Sequence, residues 1–353
     1  MKISIIYPEK LPSKKARAVS VVNTACALSK YYDTTLFYEK SNIDFLNFYA
    51  LSCPLKTEEV NKRFIIRSNK IFNFNLLNKL KNKRFNVIYV RHLKTAYYLL
   101  KKGLDIIFEC HEIFSYSNKS LKEMEKYVYE NSSKLVFINE TLQKEFNKHF
   151  NIASIPQKVV HNGCGFELPY IKKDFSKIDE IYYIGSFQKW KGVDFLIKAM
   201  RFFPELKLKI IGDGNREELE KIIRQYNLKN IEFLGFKKQN EVKEILKTSK
   251  LCVIPNIPTH FNKFSSPIKL YEYMMSSNIV LSADMDTVKE ILTDEENGFL
   301  FKSGDEKDFV EKLKMILSLD SQRLSEISKN AYKTGSQFTW DNRAKQLIEF
   351  FKE

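Results

Sequence analysis

The 353-residue sequence lacks several features that would assign it to a common class of protein. It has no uninterrupted apolar run near the roughly 18 residues that a membrane-spanning helix needs, so we expect no membrane span. Residues 2–7 are strand-like and lack the longer apolar core of a signal peptide. The five cysteines are scattered without a CxxC pair, which predicts reduced cytosolic thiols rather than a disulfide framework or a zinc site.

Glycine is also scarce, and it is unevenly distributed. None of the eleven glycines precedes Gly103, and nine lie at or after Gly165. Tight loops and close approaches of the backbone to phosphate require glycine. The second half of the chain is therefore the better candidate for a phosphate site.

Positive charge is concentrated in the first half. Residues 1–175 hold 29 Lys and Arg against 16 Asp and Glu, whereas the remainder holds 29 against 27. This imbalance favours contact of the first half with a polyanion, such as an anionic membrane or a nucleic acid. A compositional bias spread over solvated faces is an equal alternative.

Strand and helix patterns alternate along the chain, which predicts parallel sheets covered by helices. In the first half we predict strands at 2–7, 34–39, 63–67, 86–91, 105–111, 134–139 and 158–161, and helices at 15–30, 71–81, 93–102, 118–131 and 140–149. A polar stretch at 169–177 is typical of an interdomain linker. In the second half we predict strands at 181–184, 208–211, 231–234, 251–255, 279–282 and 298–301, and helices at 193–202, 216–226, 240–248, 286–293, 306–318, 321–334 and 340–351.

The stretch at 261–283 contains a helix start with the properties of a ligand site. Ser266 is a good N-cap, and Pro267 suits the first helical position. The N–H groups from Ser266 to Lys269, with the Lys269 charge, favour an anion such as phosphate. Glu272 lies on the same face and could accept hydrogen bonds from hydroxyls such as those of a ribose. An ordinary capped helix with a surface Glu is the alternative.

Three other loops follow predicted strands, where open α/β sheets bind ligands. The loop from Gly185 to Gly192 carries two lysines between its glycines. The loop at 10–17 carries four cations and either binds an anionic acceptor or is a solvated basic loop. His111 lies between Glu109 and Glu112, either of which could raise its pKa, and a structural role is the alternative.

Together these motifs resemble those of the GT-B-fold glycosyltransferases of family four. The resemblance covers about residues 155–350 and rests on motifs at 161–163, 185–192, 211–214, 233–235, 266–274, 297–300 and 338–340. Weaker matches lie at 108–112 and 136–140. The resemblance implies an α/β protein with two Rossmann-like domains facing a central cleft. The implied parts are an acceptor-binding domain at 1–165, a donor-binding domain at 166–335, and a C-terminal helix at 336–353 that packs back on the N-terminal domain.

The implied reaction is the transfer of a hexosyl group, with retention, from a nucleotide diphosphate sugar. UDP is favoured over GDP, and no metal ion or further cofactor is needed. The implied acceptor is a cell-surface polysaccharide, a lipopolysaccharide or a lipid-linked glycan. Such an enzyme would be cytoplasmic and peripheral at the inner face of the cytoplasmic membrane, bound to anionic lipid and not to nucleic acid.

The resemblance also implies roles for residues of this chain. Lys191 would pair with the diphosphate, Glu272 would bind the ribose hydroxyls, and His111 would lie by the reacting centre. Cations and helix-end N–H groups there would stabilise the charge that develops on the leaving group. The implied donor site comprises Gly185, Ser186, Lys191, Gly212, Phe236, Ser265, Ser266, Pro267, Ile268, Lys269 and Glu272, with Phe236 at the base and the 265–268 amides at the distal phosphate. Acceptor contacts are implied for Lys14, Lys15 and Arg17.

The chain departs from the family pattern at two positions. Phe264 stands where relatives usually carry a Glu that contacts the donor sugar, and Ser186 stands where many carry an Arg. Asp284-Met285-Asp286 has the D-x-D form of a metal site in another glycosyltransferase fold, but we expect a simple loop here.

Three other functions remain open from the sequence. A GT-B sugar-nucleotide epimerase would share the fold. A basic nucleic-acid-binding protein would use the first half, although no binding module is recognisable. A nicotinamide-dependent dehydrogenase needs a third glycine, which is missing after Gly212-Asp213-Gly214.

Overall fold

The computed structural model of the protein describes residues 1–41, 43–62, 69–257, 259 and 262–353. It divides into two compact units, Met1–Gly163 with Trp340–Glu353, and Cys164–Thr339. The predicted strand at 63–67 and the start of the 261–283 stretch lie outside the described residues.

The first unit is built around one parallel sheet with helices on its connections. Its strands are β1 (Lys2–Lys10), β2 (Asp33–Glu39), β3 (Lys56–Val60), β4 (Val87–Val90), β5 (Ile107–Cys110), β6 (Lys134–Phe137) and β7 (Gln157–Val159). Its first helices are α1 (Ala16–Ser29), α2 (Phe45–Phe48), α3 (Asn69–Lys83), α4 (Leu93–Lys101), α5 (Phe114–Ser117), α6 (Lys122–Asn131) and α7 (Glu140–His149). The strand order is β3-β2-β1-β4-β5-β6-β7. The central strand β1 is buried from Ile3 to Pro8, as expected of a strand covered on both faces.

The second unit repeats this design. Its strands are β8 (Glu180–Ile184), β9 (Lys207–Ile211), β10 (Ile231–Gly235), β11 (Leu251–Ile254), β12 (Ile279–Ala283) and β13 (Phe299–Phe301). Its helices are α8 (Val193–Ala199), α9 (Arg216–Gln225), α10 (Gln239–Thr248), α11 (Ile268–Met275), α12 (Asp286–Lys289), α13 (Glu306–Ser318) and α14 (Ser321–Gly335). The order β10-β9-β8-β11-β12-β13 reverses direction between β8 and β11, where doubly wound sheets bind ligands. The predicted fold class, two Rossmann-like α/β domains, is confirmed.

Several elements differ from the prediction, and α12 (Asp286–Lys289) is half as long as the helix predicted at 286–293. Strand β3 was not predicted because this edge strand, Lys-Thr-Glu-Glu-Val, is mostly polar and exposed. The helix predicted at 118–131 begins with a 3-10 turn at Lys119–Leu121 and continues as α6. The unpredicted short helix α5 precedes it, and the Ser115 N–H of α5 donates a hydrogen bond to Glu125 Oε2 at 2.9 Å. The predicted linker at 169–177 is fastened to the second unit. There the buried Lys173 donates hydrogen bonds to Leu246 O at 2.9 Å and Asn278 Oδ1 at 2.9 Å.

The prediction that every cysteine is a free thiol is wrong for Cys26 and Cys53, which form a disulfide. They lie 27 residues apart in the sequence, but the fold brings their Cα atoms to 5.7 Å. The bond ties α1 to the segment before β3. Cys110, Cys164 and Cys252 are buried free thiols.

The last helix, α15 (Trp340–Lys352), belongs to the first unit and is fastened there by a buried ion pair. Arg343 Nη2 lies 2.8 Å from Glu109 Oε2 on β5, and both side chains are at most 3% exposed. Tyr89 donates a hydrogen bond to the same oxygen at 2.5 Å. The Arg343 Nε also donates to Thr24 Oγ1 on α1 at 3.1 Å. None of the described helices is both long and apolar enough to span a bilayer.

Candidate functional site

The loop between β8 and α8 is shaped by close backbone contacts. A Cβ atom on Gly212 would lie 1.8 Å from Gly185 O, so a side chain cannot fit where the β8 and β9 ends meet. A Cβ atom on Gly192 would lie 1.8 Å from Pro255 O, and Gly192 has a left-handed φ of 70°. The loop therefore packs directly on the segment after β11, at the predicted edge of the sheet.

Helix α11 begins one residue later than predicted. Pro267, not Ser266, is the N-cap residue, and no side chain caps this end. The Leu270 N–H donates to Pro267 O at 2.9 Å, and Thr287 Oγ1 donates to Ser265 O at 2.7 Å. Ser265, Ser266 and Ile268 are half-buried, so the segment at the helix start is held in place but partly accessible.

Two lysines bring positive charge to this end of the second unit. Burial lowers the pKa of Lys191 to about 8, and its Nζ lies 3.8 Å from the centre of the Trp190 ring. Lys269 is 9% exposed, and its Nζ has no hydrogen-bond partner among the described residues. Burial, reinforced by the charge of Lys191, holds the pKa of Lys269 well below its usual range. An anion bound here would supply a negative counter-charge and would favour the protonated form of both lysines.

The Glu272 carboxylate completes this group of side chains. Glu272 is 8% exposed, and burial raises its pKa. Its Oε1 accepts a hydrogen bond from Gln239 Nε2 at 2.6 Å, which acts against the effect of burial. Gln239 was not predicted, because nothing in the sequence indicates that the first residue of α10 contacts α11.

The other predicted donor residues occupy the same unit. Tyr183 donates a hydrogen bond to Ser186 O at 2.7 Å, and the Ser186 side chain is exposed. Phe236 directly follows β10 and is 45% exposed. Phe264 is buried and offers no carboxylate to a ligand.

His111 lies at the end of β5 in the first unit. Its Nε2 is 3.2 Å from Glu112 Oε1, and its Nδ1 is buried without a hydrogen-bond partner in the described part of the chain. The Glu109 carboxylate accepts hydrogen bonds from Arg343 and Tyr89, and it interacts with His111 through its charge.

The predicted acceptor residues lie at the carboxyl end of β1, also in the first unit. Lys14, Lys15 and Arg17 are exposed. Arg17 Nη2 lies 2.9 Å from Glu9 Oε1, and Lys15 Nζ lies 3.5 Å from Glu9 Oε2. The prediction of a purely cationic loop overlooked Glu9, which precedes the loop and partly neutralises it.

The carboxylates of the D-x-D sequence have other partners. Asp284 Oδ1 accepts a hydrogen bond from the Ser303 N–H at 2.8 Å, and Asp286 Oδ1 lies 2.8 Å from Lys289 Nζ. Within the described ranges, no three His, Cys, Asp or Glu side chains are grouped as metal ligands.

Residues 171–334 match the family model of the glycosyl transferases group 1. This segment is similar to that family, and the match covers slightly less than half of the chain. The chain is also 25% identical over 229 residues to an uncharacterized glycosyltransferase of Methanocaldococcus jannaschii. That match covers 65% of this chain and only 62% of the relative.

Two solved structures share the fold of the whole chain. The Anabaena protein HepE in complex with UDP has a TM-score of 0.81 at 16% identity, with all of both chains covered. The lipopolysaccharide outer core galactosyltransferase WaaB has a TM-score of 0.76 at 16% identity, with 100% of this chain and 99% of that chain covered. The predicted GT-B fold is thereby confirmed, and residues 171–334 carry the similarity to glycosyltransferases.

Proposed function

We propose that the protein is a retaining glycosyltransferase that uses a nucleotide diphosphate sugar, UDP in preference to GDP, and needs no metal ion. The observation that carries the proposal is the buried Lys269 side chain beside Lys191 and Glu272 in the group 1 segment. Its Nζ lies 4.2 Å from the centre of the Tyr183 ring and has no hydrogen-bond partner among the described residues. In this proposal the two lysines and the α11 N-terminus receive the diphosphate. The glutamate receives the ribose hydroxyls.

The charges fit the needs of this reaction. Negative charge grows on the departing diphosphate in the transition state, and fixed cations that are already desolvated stabilise such charge without reorganising. A carboxylate would repel the phosphates but accepts hydrogen bonds from neutral hydroxyls. Placing Glu272 one helical turn beyond the phosphate-binding end separates these two tasks.

The donor and the acceptor are inferred from similar proteins. HepE was crystallised with UDP and also with UDP-glucose, which supports a uridine nucleotide as donor. WaaB is named for lipopolysaccharide outer core synthesis, which supports a hexosyl transfer to a cell-surface glycan or a lipid-linked precursor. His111 would contact the sugar, and Lys14, Lys15 and Arg17 would contact the acceptor.

A panel of UDP- and GDP-sugars, with release of the nucleoside diphosphate as readout, tests the proposal. We expect Lys191→Ala and Glu272→Ala to reduce turnover at least about a hundredfold, because each removes a charge that contacts the donor. Lys189→Ala, in the same loop but exposed, is the matched control. Near-normal turnover in either site variant would contradict the assignment of that residue.

A sugar-nucleotide epimerase is the second candidate, because the same donor site would serve it. Product analysis with and without glycan acceptors distinguishes the two. A transferase makes a new glycoside only with the acceptor, whereas an epimerase converts the sugar nucleotide alone.

We also propose that the protein works as a cytoplasmic, peripheral protein on an anionic membrane. On α3, Lys70, Phe74 and Lys81 are exposed at spacings that place them on one face, and Phe74 is 57% exposed. Each Lys near an anionic bilayer contributes on the order of 1 kcal/mol, and an inserted ring adds apolar contact. Lys79 and Lys83 instead pair with Glu58, so they contribute less than their charges suggest.

Vesicle sedimentation tests this placement. Binding should require anionic lipid, fall with salt, and weaken in a Phe74→Ser, Lys81→Glu variant. Asn78→Ser, on the same exposed face, is the control. A protein that stays in the supernatant with anionic vesicles at low salt contradicts membrane attachment, and retention on heparin alone would favour a nucleic-acid partner.

A further inference from the structure

Gln239 forms an interhelical hydrogen bond that reaches the proposed donor site. It is the first residue of α10, and its Nε2 donates to Glu272 Oε1 on α11 at 2.6 Å. The two residues are 33 positions apart in the sequence. Gln239 is half-buried, whereas the next residue, Asn240, is exposed. The contact is therefore specific to one side chain at the start of α10.

The space for this contact is kept open by Gly165. A Cβ atom on Gly165 would lie 2.6 Å from Gln239 Nε2 and 3.5 Å from Glu272 Oε1. Gly165 is not among the residues with a left-handed φ, so its backbone would accept another residue. The need for glycine here comes from the carboxamide and the carboxylate beside it.

A neutral donor suits the task of orienting this carboxylate. Burial favours the protonated form of Glu272, which would turn one oxygen into a donor. A carboxamide N–H stabilises the ionised form and fixes its orientation without adding a positive charge. Each carboxylate oxygen has two lone pairs, so Oε1 can accept from Gln239 and still accept from a ligand. Oε2 has no hydrogen-bond partner among the described residues.

We propose that Gln239 is a positioning residue that holds the Glu272 carboxylate ready to accept hydrogen bonds from a vicinal diol, such as the 2′- and 3′-hydroxyls of a ribose. The assignment rests on the proposed function, in which Glu272 contacts the nucleoside of the donor. Gly165 supports Gln239 by leaving room for its carboxamide.

Calorimetric titration of the full chain with UDP tests the role. Gln239→Met keeps the length of the side chain and removes the donor, and it should weaken UDP binding at least about tenfold. Asn240→Met, its exposed neighbour, should bind as the wild type does. Gly165→Ala should weaken binding in the same direction as Gln239→Met. In a Glu272→Ala background, Gln239→Met should have no further effect.

A second titration with 2′,3′-dideoxy-UDP separates positioning from a purely structural role. With this ligand the wild type and Gln239→Met should bind alike, because no ribose hydroxyls remain to be recognised. Equal losses with UDP and the dideoxy ligand would overturn the assignment, as would UDP binding by Gln239→Met within twofold of the wild type. If the wild-type protein binds neither UDP nor GDP, the proposed function fails, and the assignment fails with it.

Discussion

Replacing Arg343 by Met should strongly destabilise the first unit. The change leaves Glu109 with Tyr89 and with Arg91, whose Nη1 is 3.4 Å from Glu109 Oε1. Removing one partner of a buried pair costs about 3–5 kcal/mol. Because Arg91 keeps part of the compensation, we expect a loss of about 3 kcal/mol in the free energy of unfolding.

The two tryptophans allow each unit to be followed separately. Trp340 lies in the first unit and Trp190 in the second. Urea unfolding in a Trp190→Phe background reports the first unit through Trp340 fluorescence. Lys345→Met is the matched control, because this exposed lysine on α15 makes surface contacts with Asp341 and Tyr31.

The destabilisation should depend on pH. Burial alone would raise the pKa of Glu109, but the charges of Arg91 and Arg343 outweigh it and lower that pKa. The ionised pair therefore stabilises the fold above the ordinary Glu pKa of about 4.3, and this contribution is lost as the pH falls. The difference between Arg343→Met and the wild type should be largest near pH 7 and shrink below about pH 4. A difference below about 1 kcal/mol at pH 7, or one confined to the second unit, would refute the reasoning.

Three further predictions concern the site and the disulfide. UDP affinity should fall as the pH rises through about 8, because Lys191 loses its proton there. The Lys191→Arg variant should bind UDP with constant affinity over that range. A wild-type affinity that stays constant up to pH 10 would argue against a lysine contact. Turnover should survive excess EDTA and an Asp284→Ala, Asp286→Ala variant, whereas inhibition reversed by manganese would contradict metal independence. Under oxidising conditions the double variant Cys26→Ser, Cys53→Ser should lower the free energy of unfolding of the first unit by up to about 3 kcal/mol. A dithiol reductant should lower that of the wild type by a similar amount. If the reductant has no effect, the bond does not form in solution.

Much of the architecture could be predicted from local patterns. Apolar runs such as Ile3–Tyr7 and Leu251–Ile254 are strands because both faces of each strand are covered. The glycines at 185 and 192 predicted the loop between them. At Gly192 the backbone lies so close to Pro255 O that no side chain would fit. Lys191, Lys269 and Glu272 could be predicted as a group because they follow such strand ends.

Other features depend on contacts that no local pattern records. The polar strand β3 exists because β2 offers it an edge to pair with, and the Cys26–Cys53 bond exists because the fold brings α1 close to the segment before β3. Glu109 was predicted from its place beside His111, but its hydrogen-bond partner Arg343 comes from a helix 234 residues further along the chain.

The sequence alone therefore determined most of the strands and helices and the places of the glycine-containing loops after the strands, because these depend on the period of burial and on backbone freedom. The tertiary structure decided which polar groups are paired. A buried charge without a hydrogen-bond partner is unfavourable, and the residue that becomes its partner is the one that the fold places next to it. Gln239, which donates to Glu272, is an example. Lys269 Nζ lies over the Tyr183 ring but has no hydrogen-bond partner among the described residues.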